Sequence, residues 1–309
     1  MRSRHGGAAA ARPRLASVLL AALGISSAQG AVPGIWRTPH TAQKDARVVR
    51  DRLHPQNNPA RENDSFLDAV GAVWTSAIRL SAVGYGASSG FLIDRCHALT
   101  AMHVVYGDDI VVNPAPGQPV MFGVGQTQDN SRGALQGLRF LLHGAVVAHG
   151  DTTIVDHRVQ NPDNDWALIG LTANVDASIL PMSLAAVDPG QLPPHMRLAA
   201  AGFPTDHRDL RANGFNLKDL WGAEGQLVAV VATSTIGALI ETTIQATRGD
   251  SGGPVYGDIE GQRHVVIGLM QSVRGNGIDV SDTIPNTQVL FTPSTMASIR
   301  AAQAQTPCR

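Results

Sequence analysis

The chain has 309 residues and a formal net charge of -1, a length that suits one large domain or two small ones with a sizeable core. The near-neutral balance gives no reason to expect a nucleic-acid partner, and no acidic or basic tail is present. Aromatic residues are few, at 5%, and glycines number 32, which favours short strands joined by turns over long helices.

The first segment, MRSRHGGAAAARPR, carries arginines and no acid. LASVLLAALGISSA follows as an apolar run from Leu15 to Ala28, and the small residues AQGA end at Ala31. A basic stretch, a short apolar core and a small-residue end form the pattern of a secretory signal peptide over residues 1–30, cut after Ala28 or Gly30. The run is short for a membrane span, so the expected mature protein is exported, secreted or periplasmic, and free of the membrane. A mitochondrial transit peptide is the alternative, since the first acid is Asp45. The continuous rather than amphipathic run favours export.

Residues 31–64 contain four prolines and the polar stretch HPQNNPARENDS, and read as a pro-segment or linker. From about Phe66 to Ile179 short apolar runs alternate with turn signals: AVGAVW, GFLI, HALTA, DIVVN, VMFGV, GAVVA and WALIGL. A second series begins near Met196 with MRLAAAGF, GQLVAVVAT, LIETTIQ, HVVIGLM and TQVLFT. Leu180 to Pro194, with prolines at 181, 189, 193 and 194, separates the two. Two blocks of short strands predict an all-β chain with two antiparallel barrels or sandwiches, about 65–180 and 195–292. Thr292 followed by Pro293 predicts an N-cap and first turn, and a short helix to about Gln303 within a C-terminal segment 293–309.

The chemistry centres on TRGDSGGPVY, Thr247 to Tyr256, where Ser251 stands among glycines. Glycines let the main chain turn tightly and approach another group closely. Such a turn can expose a hydroxyl and aim amide N–H groups at one atom, as a nucleophile with an oxyanion hole requires. A plain surface turn uses the same residue types. A serine nucleophile needs a base, and the base needs an orienting carboxylate. Among eleven histidines, His103 in GFLIDRCHALTAMHVV follows an apolar run whose end can carry a side chain into a cleft. His97, His143, His149 and His157 read as satisfied, half-buried histidines. His143, His149, Asp151 and His157 match no helical or ribbon metal-site spacing, so neither a metal nor another cofactor is expected. The carboxylate candidate is Asp165 in NPDNDWALIGL, at the entrance of an apolar strand. Asp163 is its local rival and reads as part of the NPDN turn. The two cysteines, Cys96 and Cys308, are a possible disulfide in an exported protein, or two free thiols.

Three of these stretches carry a family resemblance. LTAMHVV resembles the histidine motif of trypsin-like, chymotrypsin-fold serine proteases, NDWAL resembles their aspartate motif, and RGDSGGPV their nucleophile motif. The chain order His, Asp, Ser is also that of the chymotrypsin group. AAGFPTD, from Ala200, resembles a segment of that family's second barrel. The likeness spans roughly Val70 to Thr292 and is greatest to secreted bacterial members, including the glutamyl-endopeptidase group. It implies two antiparallel β-barrels with a short C-terminal helix, over a peptidase domain of about 65–292. It also implies protein or peptide substrates and a monomer without cofactor. Ser251 would be the nucleophile, His103 the base and Asp165 its orienting carboxylate. The N–H groups of Gly249 and Ser251 would form the oxyanion hole, and Asp250 would be the partner of an α-amino group freed on activation.

The chain also departs from the family pattern. Val104 follows His103 where vertebrate trypsins have a cysteine, and Thr247 stands at another cysteine position. Gln245 lies six residues before Ser251, where trypsin has a pocket aspartate. GLMQSV, from Gly268, resembles the substrate-pairing strand, with Gln271, Ser272 and Val273 in place of SWG. Gln245, Gln271 and Val273 are thus the expected substrate pocket. They imply no preference for Arg or Lys, and Met270 replaces the histidine of glutamyl endopeptidases. A small or uncharged P1 side chain is expected. Arg47-Val48-Val49 and Arg61-Glu62 only partly echo an activation site. The alternatives are a catalytically silent binding protein of the same fold and, more remotely, an esterase.

Overall fold

The computed structural model describes residues 48–49, 64–75, 88–106, 117, 119–126, 138–151, 153–155, 158–203, 220–244, 246, 249–272 and 286–308. The expected leader, most of the 31–64 segment, and Gln245, Val273 and His157 lie outside the described residues. Within the segment expected to be irregular, Val48–Val49 form a short strand, β1. These β-branched residues pair antiparallel with Gly222 and Trp221. A 3-10 helix covers Asp64–Ala69.

The first barrel closes in the order β2-β3-β4-β9-β6-β5. Its strands are β2 (Val70–Thr75), β3 (Ser88–Leu92), β4 (His97–Thr100), β5 (Pro119–Gln126), β6 (Leu138–His149) and β9 (Ala167–Leu171). A small hairpin, β7 (Thr153–Val155) and β8 (Arg158–Gln160), rises between β6 and β9. In the second barrel β10 (Arg197–Gly202), β13 (Pro254–Ile259), β14 (Gln262–Ser272), β15 (Asn286–Leu290) and β12 (Ala238–Thr242) follow β11 (Trp221–Thr233) in pairing order. β12 returns to pair with the far half of β11 and closes six strands, leaving β1 outside. All these pairings are antiparallel, as short apolar runs separated by turns predict.

The same periodicity sets the core. Phe91 and Phe122 are fully buried in barrel one, and Phe203 and Phe291 in and beside barrel two. Each such ring contributes roughly 1.5–3 kcal/mol on leaving water. One continuous apolar cluster holds Phe91, Phe122 and Leu168 together with Phe203, Leu269 and Phe291. Apolar packing therefore joins the two barrels. The proline-rich stretch between them is strapped down rather than free. Met182 N–H donates to Leu92 O at 2.9 Å, Ala185 N–H to Val266 O at 3.0 Å and Val187 N–H to Phe291 O at 2.8 Å.

The C-terminal helix, α2 (Pro293–Gln305), starts where the sequence indicates. Thr292 is its N-cap, its hydroxyl accepting from Thr295 N–H at 3.1 Å. The helix buries Met296 and Ile299 and carries the tail back to barrel one. There Cys96 and Cys308 are joined by a disulfide, with Cα atoms 5.6 Å apart across a sequence separation of 212. A hydrogen-bonded cluster surrounds the bond. Asp94 accepts from the N–H groups of Cys96 and His97 at 2.8 and 2.7 Å and from Gln303 Nε2 at 2.8 Å. Its carboxylate also lies 2.7 Å from His97 Nδ1, while His97 Nε2 meets Thr306 Oγ1 at 3.0 Å.

Removing the bond frees a very long loop in the unfolded chain. Replacing both cysteines by alanine is expected to lower the unfolding free energy by about 2–5 kcal/mol. Denaturant melts will read this as an earlier midpoint, and an unchanged midpoint would show that the bond stabilises nothing. The Asp94 carboxylate gives a second expectation. Burial raises its pKa, but the hydrogen bonds from His97, Cys96 and Gln303 and the charge of His97 outweigh burial and hold it below the ordinary 3.8. A pKa lowered in the folded state gives stability that is present above the unfolded value and lost as pH falls through the folded one. Acidification below about pH 4 is therefore expected to lower the denaturant midpoint. Asp94→Asn should remove part of that pH dependence, and identical acid profiles for the two proteins would exclude this carboxylate as a source.

Candidate active site

His103 does not leave a hairpin directly, as its place at the end of an apolar run suggests. After β4 the chain turns into a five-residue helix, α1 (Met102–Tyr106). Met102, Val104, Val105 and Tyr106 are buried, and burial pushes the Tyr106 phenol up to about 12. His103 is the partly exposed member, its side chain 17% accessible. Four buried neighbours anchor the helix and leave one imidazole partly exposed.

Asp165 comes from the loop that enters β9. Asn161, with φ 54°, precedes a 3-10 turn at Pro162–Asn164. Trp166 fixes that turn by donating from its backbone N–H to Asn164 O at 3.0 Å and from Nε1 to Asn164 Oδ1 at 2.8 Å. Between these residues the Asp165 side chain is fully buried. It holds His103 twice: Oδ1 accepts from the backbone N–H at 3.0 Å, and Oδ2 lies 2.7 Å from Nδ1. A buried carboxylate needs such partners, because an unpaired charge there is costly. The arrangement aims Nδ1 at the carboxylate and turns Nε2 the other way. It is Asp165, not Asp163, that makes these bonds. Asp163 lies in the preceding 3-10 turn, whose main chain packs against Gly237 of barrel two.

Ser251 sits on the facing turn of barrel two. Gly249 has φ +96° and Gly252 φ +82°, values that side chains rarely adopt. A Cβ at Gly252 would also collide with Thr100 Oγ1, the Ser89 carbonyl and the Ala101 amide. Barrel two ties the turn to β14, with Gly252 N–H donating to Met270 O at 2.7 Å and Met270 N–H to Gly253 O at 2.9 Å. Within the turn, Gly253 N–H donates to Asp250 O at 2.9 Å. Barrel one ties it from the other side. Ser89 N–H donates to Ser251 O at 3.0 Å, and Thr100 Oγ1 donates to Ser89 O at 2.7 Å. The turn thus rests on Thr100–Ala101, two residues ahead of His103. Ser251 itself is half-buried and Asp250 is buried.

The sequence singles out neither Ser89 nor Thr100. Both act through bonds to partners remote in the chain or to a main-chain atom, and the SSG of strand β3 carries no recognisable motif. Of the expected pocket, Gln271 is buried at a bulge in β14, between the Met270–Gln288 and Ser272–Thr287 pairs. Gln245 and Val273 lie outside the described residues. His143 and His149 point apart in function. His143 is exposed on β6, while His149 Nδ1 lies 2.7 Å from Gly150 O and its ring meets Tyr106 edge-on. Among the described residues, Asp94, Cys96, His97 and Cys308 bring metal-ligand atom types within 4.8 Å of one another. There the disulfide takes both sulfurs.

The Trypsin family model matches residues 69–286. No curated protein sequence matches the chain. Among solved structures, a Glu endopeptidase in complex with MPD is similar at 17% identity and a TM-score of 0.54, over 84% of this chain and 98% of that one. The Rv3671c protease from M. tuberculosis, in its active form, is 15% identical with a TM-score of 0.47, over 79% of this chain and 83% of that one. Matched from β2 through β14, including the turn that bears Ser251, the chain belongs to the trypsin family and is a serine endopeptidase.

Proposed function

We propose that this endopeptidase is exported and cleaves peptide bonds through Ser251, His103 and Asp165 by way of an acyl-enzyme. The observation that carries the reading is the double hold of buried Asp165 on His103, on the wall against which the Ser251 turn docks. With Nδ1 engaged by the carboxylate, Nε2 is the nitrogen that accepts the Ser251 proton as Oγ attacks the scissile carbonyl. The same proton then passes from Nε2 to the departing amine as the C–N bond breaks and the acyl-enzyme remains. Water, deprotonated by the same nitrogen, releases the acid and returns the proton to Ser251. Asp165 stabilises the imidazolium and holds its tautomer.

The N–H groups of Gly249 and Ser251 serve the oxyanion. The N–H and C=O of one trans peptide point in opposite directions. Asp250 O is bound inward by Gly253 N–H, which leaves the Ser251 N–H directed away from that bond. Asp250, buried in the turn, takes the role of receiving the α-amino group freed on maturation. The strand that pairs with substrate is β14, through its bonds to the Ser251 turn, and Met270 and Gln271 bring no charge to it. An uncharged P1 side chain follows, with the glutamyl preference of the similar endopeptidase not carried over. Export is supported by the basic-apolar-small pattern of residues 1–30 and by the disulfide, which suits an oxidising compartment.

The mature protein should be labelled by a fluorophosphonate probe, and Ser251→Ala should not. Asp165→Asn should lower kcat by about 10⁴, the loss typical of this change in a Ser-His-Asp triad, while Asp163→Asn retains turnover. An unlabelled mature protein would instead be a silent binding protein of this fold, and an Asp163 effect without an Asp165 effect would move the carboxylate role.

A further inference from the structure

Ser89 lies near the start of β3 in barrel one and is fully buried, with its hydroxyl, N–H and carbonyl all hydrogen-bonded. Its hydroxyl donates to Gly249 O at 2.7 Å and accepts from Phe203 N–H at 2.7 Å. Its N–H donates to Ser251 O at 3.0 Å, and its carbonyl accepts from Thr100 Oγ1 at 2.7 Å. Since Phe203 N–H can only donate, the single hydroxyl proton goes to Gly249 O, and the direction of the bond is fixed.

We infer that Ser89 is a positioning residue for the oxyanion hole: its hydroxyl sets the orientation of the Gly249–Asp250 peptide, and its N–H sets that of the peptide after Ser251. This rests on the reading of Gly249 and Ser251 as oxyanion donors. Gly249 has φ +96° and no side chain to hold it. One bond to its carbonyl therefore decides its ψ and the path of the chain into Asp250. Gly253 N–H then fixes the next peptide through Asp250 O, the one whose N–H belongs to Ser251. Ser89 and Gly253 thus lock two successive peptides from opposite sides. Without the hydroxyl, Gly249 O and Phe203 N–H lose a buried partner at once. The turn then gains by rotating toward other partners or water, because buried polar groups seek hydrogen bonds. Donors that stabilise a developing oxyanion act through geometry fixed before reaction, so a loosened turn affects the transition state more than substrate binding.

The test uses the mature full-length protein and a peptide substrate that the wild type cleaves. Ser89→Ala should lower kcat by about tenfold to hundredfold, below the 10²–10³ lost when a donor is deleted outright. KM should change by less than about threefold. Affinity for a peptide aldehyde, whose adduct with Ser251 carries the oxyanion, should fall by the same factor as kcat. Ser89→Gly, which removes the hydroxyl and adds no bulk, should repeat the loss even if alanine packs badly. Ser89→Thr, which keeps a hydroxyl, should recover most of it. Either Ser89→Ala or Ser89→Gly with kcat within twofold of wild type would overturn the assignment, as would a loss confined to thermal stability or to KM. The two readings separate cleanly. If the wild type neither turns over nor takes a fluorophosphonate label, the triad reading falls and this inference with it. If the wild type is active and Ser251→Ala is inert while the Ser89 variants stay active, only this inference fails.

Discussion

The site depends on hydrogen bonds to main-chain atoms of a turn that has almost no side-chain bulk. Residues 249–253 are Gly, Asp, Ser, Gly and Gly, so little in their own packing holds them. Shape is supplied from outside. Barrel two contributes Met270, whose carbonyl and N–H grip Gly252 and Gly253, and barrel one contributes Ser89 at the opposite side. Glycine makes this possible, since a side chain at 252 would strike the barrel-one wall, and glycine also makes it necessary. The reactive geometry is thus a property of two docked barrels rather than of either alone. The shared apolar cluster between them therefore helps to hold the turn in place.

Asp165 illustrates the second constraint, electrostatic rather than steric. A carboxylate with no exposed surface needs hydrogen bonds in place of water. Here the backbone and ring of one histidine supply them, and the 3-10 turn before it, pinned by Trp166, sets the approach. The His103 helix is likewise held by its buried neighbours. Both partners are anchored by buried apolar neighbours, so the polar pair is placed by the core around it.

Much of this was legible in the residues. Short apolar runs between turn signals marked the strands of both barrels, the Thr-Pro step marked the start of α2, and three short motifs marked His103, Asp165 and Ser251. What those motifs encode is local: a turn with special backbone angles, a strand entrance, a histidine after an apolar run. What escaped reading is relational. Nothing near Ser89 announces a bond to Gly249, 160 residues away. The turn of His103 into a helix depends on Met102, Val105 and Tyr106 finding a core, not on the helix propensity of MHVVY. The prolines of 180–194 suggested a loose connector, yet its N–H groups are bound by both barrels. Val48–Val49, in a stretch read as irregular, pair with β11 because β12 covers only Leu227–Thr233 and leaves the edge of Trp221 and Gly222 opposite β10 open.

The cross-link between Cys96 and Cys308 also imposes an order of assembly. Chains are made from the N-terminus onward, and this bond joins residues 212 apart in sequence, with most of barrel one and all of barrel two between them. The bond can therefore form only after α2, beyond the last strand of barrel two, has been made. Until then the strand pair around Cys96 must persist through its own packing while a thiol waits unpaired. A bond with this span works as a final latch, closing around a molecule whose two halves have already met.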